Sequence, residues 1–460
     1  MRAADQGVRV IPLKEAVSKL VDGSHNPPPK REVGKPMLSA RNIENGRIVF
    51  DEYRFIDETA FEQEHARSRV AANDVLLTIV GTIGRTAVVS EGLPPFALQR
   101  SVAVLTPRDD LLPKYLCYQL QSPATQRYFE ENARGTAQKG VYLKTLGATP
   151  IQVPPLDEQR EVVDEIEKQF SRLDEAVANL QRVKANLKRY KASVLKAAVE
   201  GRLVETEASI AQRESRSYET GEQLLQRILD ERRAKWSGKR KYKEPLPHDA
   251  QGLSKTPEGW VWCSLDLVAS ETLIGLDRGR DQQRAEAVGV RYVKMNNVSM
   301  DGDVQTDELV YIDATPEEVA RYEVANSDLL FNTRNSLELV GKVGIVRSIP
   351  ACTVFNNNLM RIRTCGGVSP VFLGYQMCAF EFRQRMAKVK KATTSVAAVY
   401  QKDLLPLAIA LPPESEQVRI VAEIDRHLSI IREVEAEVDT NLQRAQALRQ
   451  GTLAKFFSYS

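Results

Sequence analysis

Two stretches of the chain carry apolar residues at alternating steps of three and four, the spacing that lines them up on one face of a helix. In the first, the stripe runs Val163, Ile166, Phe170, Leu173, Val177 and Leu180, then Leu187, Val194 and Ala198. In the second it runs Val421, Ile424, Leu428 and Ile431, then Val438, Leu442 and Ala445. Each stretch starts with a proline pair and acids, as first helical turns prefer. About 45 residues of helix would be about 65 Å long. The early steps have the coiled-coil period, with Lys184 and Lys191 as polar interruptions of the first stripe. Neither helix can bury its stripe alone, so the two are expected to pair as long antiparallel coiled-coil helices. The expected seam is Ile166, Phe170, Leu173, Val177 and Leu180 with Ile424, Leu428, Ile431, Val438 and Leu442.

The two stripes are copies. Val153-Pro154-Pro155-Leu156-Asp157-Glu158-Gln159 matches Leu411-Pro412-Pro413-Glu414-Ser415-Glu416-Gln417, and the offset of 258 persists to Leu195 and Leu453. What precedes each helix repeats more loosely. Asn42-Ile43 with Gly46 matches Asn297-Val298 with Gly302, and Asn73-Asp74 matches Ser327-Asp328. Gly84-Arg85 matches Gly341-Lys342, and Val141-Tyr142-Leu143-Lys144 matches Val399-Tyr400-Gln401-Lys402. Short β-rich runs at 75–80, 86–89, 101–105 and 344–346 alternate with turns and short helices, giving an α+β expectation for each copy. Residues 204–256 form a polar insert, with an amphipathic helix at 221–236 and a basic, proline-containing linker after it. The expected organisation is therefore two pseudo-repeated domains, 1–154 and 257–411, each followed by a long helix, 155–203 and 412–460, with the linker at 204–256.

Composition adds limits. An apolar fraction of 42% and a charged fraction of 27% are ordinary for a globular protein. No run approaches the roughly 20 apolar residues of a membrane span, and residues 1–14 lack a signal pattern, so a cytoplasmic location is expected. Five cysteines without a Cys-x-x-Cys pair read as free thiols, and four scattered histidines make a metal site improbable. The net charge of +3 says little, but basic residues cluster, with seven and no acid from Arg232 to Lys243 and five from Arg383 to Lys391.

Signs of catalysis are missing. Asn26-Pro27-Pro28-Pro29 has the start of a base-holding methyltransferase loop but lacks its final aromatic ring, and no Gly-rich turn would hold a methyl donor. Gly341-Lys342 lacks the rest of a phosphate-binding loop. No carboxylate cluster with a lysine suggests a nuclease, and no triad order suggests a hydrolase. No catalytic residue and no metal ligand is assigned.

The chain resembles the DNA-specificity subunits of type I restriction–modification systems, over essentially its whole length. The resemblance is carried by Pro154-Pro155-Leu156-Asp157-Glu158-Gln159-Arg160, Leu195-Lys196-Ala197-Ala198, Gly201-Arg202-Leu203 and Pro257-Glu258-Gly259-Trp260. Leu224-Leu225, Glu231 to Trp236 and Lys241-Tyr242-Lys243-Glu244-Pro245 in the linker add to it. The first domain departs from the pattern, with Gly7-Val8-Arg9-Val10 where the second has Pro-Glu-Gly-Trp. The resemblance implies two target-recognition domains, each reading half of a split double-stranded DNA sequence. Its paired helices would act as spacer and as platform for two methyltransferase (modification) subunits. Methyl donor, ATP and magnesium would belong to those subunits and to nuclease–translocase (restriction) subunits. The chain itself would hold no cofactor and be no enzyme.

On that reading the loops of each domain face the major groove, cations fixing phosphates and amides or guanidinium groups reading base edges. The expected DNA-binding residues of the first domain are Thr82, Arg85, Gln99, Arg100, Gln138, Lys139, Tyr142 and Lys144. Those of the second are Asn332, Arg334, Asn335, Lys342, Asn356, Asn357, Asn358, Lys390, Lys391, Thr394, Tyr400 and Lys402. Two rival readings are a coiled-coil adaptor whose domains bind proteins, which predicts no duplex affinity and no salt dependence, and a stand-alone DNA methyltransferase, which predicts methyl-donor binding.

Overall fold

The computed structural model describes residues 8–135, 138–237, 241–393 and 396–458. The chain forms two compact units, Met1–Val183 with Glu437–Ser460, and Lys184–Ala436. Both long helices, Leu156–Val199 and Glu414–Phe456, contribute a segment to each unit.

The first unit is built on a four-stranded antiparallel sheet in the order Val17–Asp22, Val102–Pro107, Val75–Thr78, Thr86–Val88. The strand Val75–Thr78 is buried on both faces, which explains why it reads as an unbroken apolar run. A smaller sheet sets Lys35–Leu38 antiparallel to Arg54–Ile56 and parallel to Ala97–Leu98. The second unit repeats this plan. Its four strands run Ala269–Ile274, Leu359–Thr364, Leu329–Asn332, Val343–Ile345. Its smaller sheet sets Val290–Val293 antiparallel to Val310–Ile312 and parallel to Thr353–Phe355. The architecture is α+β, two repeated domains and a pair of long antiparallel helices.

Many of the residues that match between the copies fasten the scaffold. Asp74 takes the Ala71 N–H into its carboxylate at 2.8 Å, and Asp328 takes that of Ala325 at 2.8 Å. The residue before each, Asn73 or Ser327, sits at positive φ, closing the same tight turn. Asn42 accepts from Ser39 N at 3.0 Å, and Asn297 from Lys294 N at 2.9 Å. The glutamine after the proline pair is buried in both copies. Gln159 Nε2 donates to the carbonyls of Asp110 and Pro154, both at 2.8 Å, and its Oε1 accepts from Leu112 N at 2.8 Å. Gln417 repeats this with Gly367 O and Pro412 O, both at 3.1 Å, and Ser369 N at 2.7 Å. Each long helix is thus locked to its own domain by a three-bond amide latch.

In the first unit the two helix segments run antiparallel. Thr452 Oγ1 donates to Gln169 Oε1 at 3.0 Å, while Arg449 lies 3.9 Å over the Phe170 ring and pairs with Asp174 at 2.7 Å. Ile166 and Phe170 share a core with Leu453 and Phe457. In the second unit Tyr190 Oη and His427 Nδ1 are 2.9 Å apart, and Val194, Leu195 and Ala198 share a core with Ile420, Ile424, Leu428 and Ile431. Of the expected seam, Ile166, Phe170, Ile424, Leu428, Ile431 and Val438 are buried, whereas Leu173, Val177, Leu180 and Leu442 are half-buried. The deeply buried members near the helix ends gain a domain as third packing partner.

The linker helix Gly221–Ala234 starts with a Thr220/Gln223 capping box and buries Leu224 and Ile228 in the second unit's core. Its end shows where part of the basic run noted in the sequence goes. Arg232 donates to the carbonyls of Asp266, Leu267 and Ala269 at 2.6–3.2 Å, Arg233 pairs with Glu244 and Asp230, and Lys235 with Glu231. Lys239 and Arg240 lie outside the described residues.

Candidate nucleic-acid interface

In both units the candidate residues gather at one end of the four-stranded sheet, because three connections meet there. In the first unit Thr78 ends one strand opposite Val102, which begins the next. The turn after Thr78 is held by Val141 N donating to Ile79 O at 2.8 Å and Gly81 N donating to Lys139 O at 3.1 Å. Residues 79–85, 99–100 and the described part of 134–144 therefore belong to one face. Thr82, Arg85, Arg100, Gln138, Lys139, Tyr142 and Lys144 are exposed on it, and Gln99 is half-buried. Arg85 also reaches the Ile43 carbonyl at 3.5 Å.

The second unit repeats the geometry with a firmer frame. Asn332 pairs with Leu359, and Val399 N donates to Thr333 O at 2.9 Å. Arg334–Asn335, Ala397–Ala398 and Lys391–Ala392 form a three-stranded sheet where the first unit has, among the described residues, the bridges Val80–Gly140 and Arg134–Gly140. Arg334, Lys391, Tyr400 and Lys402 are exposed there, and Asn335, Asn357, Asn358 and Lys390 are half-buried. A cavity of about 370 Å³ opens between Thr333, Arg334, Asn357 and Tyr400, with Ile274 at its edge. Lys391 is held between the Asp403 carboxylate at 3.3 Å and the Tyr400 ring.

Three expected contacts are corrected by burial. Asn332 is fully buried and donates to Asn358 O at 3.4 Å. Asn356 donates to Tyr292 Oη at 3.0 Å and accepts from Asn358 N at 2.7 Å, holding the start of the strand Leu359–Thr364. Lys342 is buried, its ammonium donating to the carbonyls of Met295 (2.9 Å) and Val298, and burial lowers its pKa. These side chains satisfy backbone groups inside the domain and offer nothing to a duplex. Lys390 spends its ammonium on Leu337 O at 3.2 Å. Thr394 lies outside the described residues.

All five cysteines are free thiols, and only Cys352 is exposed. Burial pushes Cys117 up to about 11 and Cys263 up to about 12, which keeps both protonated and unreactive at neutral pH. Among the described residues no group of three or more His, Cys, Asp or Glu is placed to hold a metal, and no helix is long and apolar enough to cross a membrane.

Comparison with known proteins agrees with this architecture. Residues 29–189 match the family model described as the type I restriction modification DNA specificity domain. The EcoKI specificity subunit of Escherichia coli K12 is 20% identical over 429 residues, covering 92% of this chain and 81% of that one. The EcoBI specificity subunit of Escherichia coli is 30% identical over 139 residues, 30% of this chain and 29% of that one. A chain solved in a study of the assembly and conformational transition of the type I R-M system shares the fold, with a TM-score of 0.63, 20% identity and 99% of both chains covered. The matched repeat, the paired helices and these relatives lead to one conclusion: residues 29–189 carry a type I restriction modification DNA specificity domain, and the chain over most of its length is similar to the specificity subunits of type I restriction enzymes.

Proposed function

We propose that residues 1–154 and 257–411 each read one half of a bipartite double-stranded DNA target. The long helices set the gap between the halves and hold two modification subunits. The chain contributes no catalytic group, and methyl donor, ATP and magnesium act on its modification and restriction partners. One observation carries this reading: the same end of the same sheet is presented twice, with exposed cations and a half-exposed tyrosine, Tyr142 or Tyr400, at matched positions of loops that otherwise differ. An adaptor binding proteins would have no need for two cationic faces built on one plan.

Mapping the methylated positions in a host that carries the complete system tests this, with a single two-part motif as the expected result. Replacing Arg334 and Asn335 by alanine should relax one half of that motif only, and equal loss in both halves would sink the two-reader scheme. Inserting one heptad into each long helix should lengthen the spacer by about 10 Å, or roughly three base pairs. An unchanged gap in the methylated motif would remove the helices from the ruler role.

A further inference from the structure

The cationic face of the second unit carries an apolar tip for which the domain core has no use. The turn from Asn332 to Gly341 is three residues longer than its counterpart from Thr78 to Gly84. The extra length carries Leu337 and Leu339 outward, 57% and 39% exposed. In the first unit the apolar residues of the turn fold inward, with Ile79 buried and Val80 and Ile83 packed against the core. Asn335 pairs with Ala397, so Leu337 and Val396 (43% exposed) emerge at the same end of the three-stranded sheet. The Lys390 ammonium bonded to Leu337 O holds the tip in place. On the same sheet stand the exposed cations Arg334 and Lys391, each opposite Ala398.

A fixed leucine in a cationic rim suits one partner well. Phosphates would meet the rim, and the broadest apolar surface a duplex can offer beside them is the face of a base pair at an opened step. We propose that Leu337, supported by Val396, is a wedge that the second domain presses into a base-pair step of its half-site. This domain then reads the ease of unstacking as well as base edges, and pyrimidine–purine steps, which unstack most readily, are the preferred site. The shorter turn of the first domain packs Ile79, Val80 and Ile83 inward and supplies no such wedge. The inference rests on the DNA-reading role proposed above.

The test uses the chain assembled with its modification subunits and a duplex bearing the mapped target. 2-Aminopurine is placed at one position at a time, leaving out the methyl-accepting bases. Binding should raise its fluorescence at one step of the second domain's half-site and at no step of the other half. Leu337→Ala should abolish that rise and weaken binding about tenfold, while Leu337→Met, which keeps a long apolar side chain, should restore both. Specific binding with no such rise, or a rise that Leu337→Ala leaves intact, overturns the wedge alone. Absence of sequence-specific binding by the unaltered complex overturns the DNA-reading scheme and the wedge with it. Loss of modification subunits from the Leu337→Ala complex, with the fluorescence unchanged, would assign the tip to protein docking and also overturn the wedge.

Discussion

Gln417→Leu is expected to lower the melting temperature of the second unit by roughly 10 °C, and Gln159→Leu to do the same to the first. Each leucine removes the amide and strands three backbone groups, one buried and two in part-buried bonds. In the second unit these are the carbonyls of Gly367 and Pro412 and the N–H of Ser369. In the first they are the carbonyls of Asp110 and Pro154 and the N–H of Leu112. A buried polar group left without a partner costs about 1–3 kcal/mol and a part-buried one less, so the three together cost about 3 kcal/mol. At 2–4 °C per kcal/mol for domains of roughly this size, the shift is large. The control is Gln446→Leu, an exposed position on the same helix, which should move neither transition. Thermal unfolding followed by calorimetry reads all three, and a shift below about 2 °C for Gln417→Leu would show that the latch does not hold the domain. Because the two latches share no partner, the double variant should add the two effects.

These glutamines show what kind of information the sequence exposes. Matching the copies against each other picked out Gln159 and Gln417, Asp74 and Asp328, and Asn42 and Asn297, and each of these pairs fastens the same turn or helix end in its own domain. A latch must keep its geometry, so its residue type survives duplication, and the fold is legible from it. The proposed recognition face obeys the opposite rule: its loops diverge, and matching cannot rank their residues. Arg85 and Lys342 occupy matched positions, yet Arg85 is exposed and Lys342 is buried against Met295 and Val298. From the sequence, Asn332 and Asn356 are expected among the amides that read base edges. They stand at strand ends, where unpaired backbone groups compete for the same amides, and the backbone takes them. The basic run at Arg232 is taken up in a related way. It lies at a helix end close to Asp230, Glu231 and Glu244, and those acids, with the carbonyls nearby, take up its charge. Leu337 was passed over because an apolar residue in a polar loop signals nothing until its exposure is known.

Replacing Arg334, Lys391 and Lys402 together by alanine should flatten the salt dependence of duplex binding, reducing the slope of log affinity against log salt by about 2.7. The reasoning is electrostatic and needs no knowledge of the target. Each cation that neutralises a phosphate releases a condensed counterion, and each contributes about 0.9 to the slope. All three side chains are exposed on the second unit's face, whereas Lys342 and Lys390 spend their ammonium groups on backbone carbonyls and should contribute nothing. Lys391 must leave Asp403 to reach a phosphate, so its single replacement should have the smallest effect of the three. Phosphates carry no sequence, so affinity should fall to a similar degree on matched and unmatched duplexes, unlike the one-sided loss expected from Arg334 and Asn335 together. Arg233→Ala with Lys235→Ala removes two cations already paired within the linker and serves as the charge control. Affinities of the assembled complex between about 50 and 200 mM salt decide the matter. If the triple variant keeps its slope while the charge control loses its own, the duplex lies against the linker and not against the sheet end.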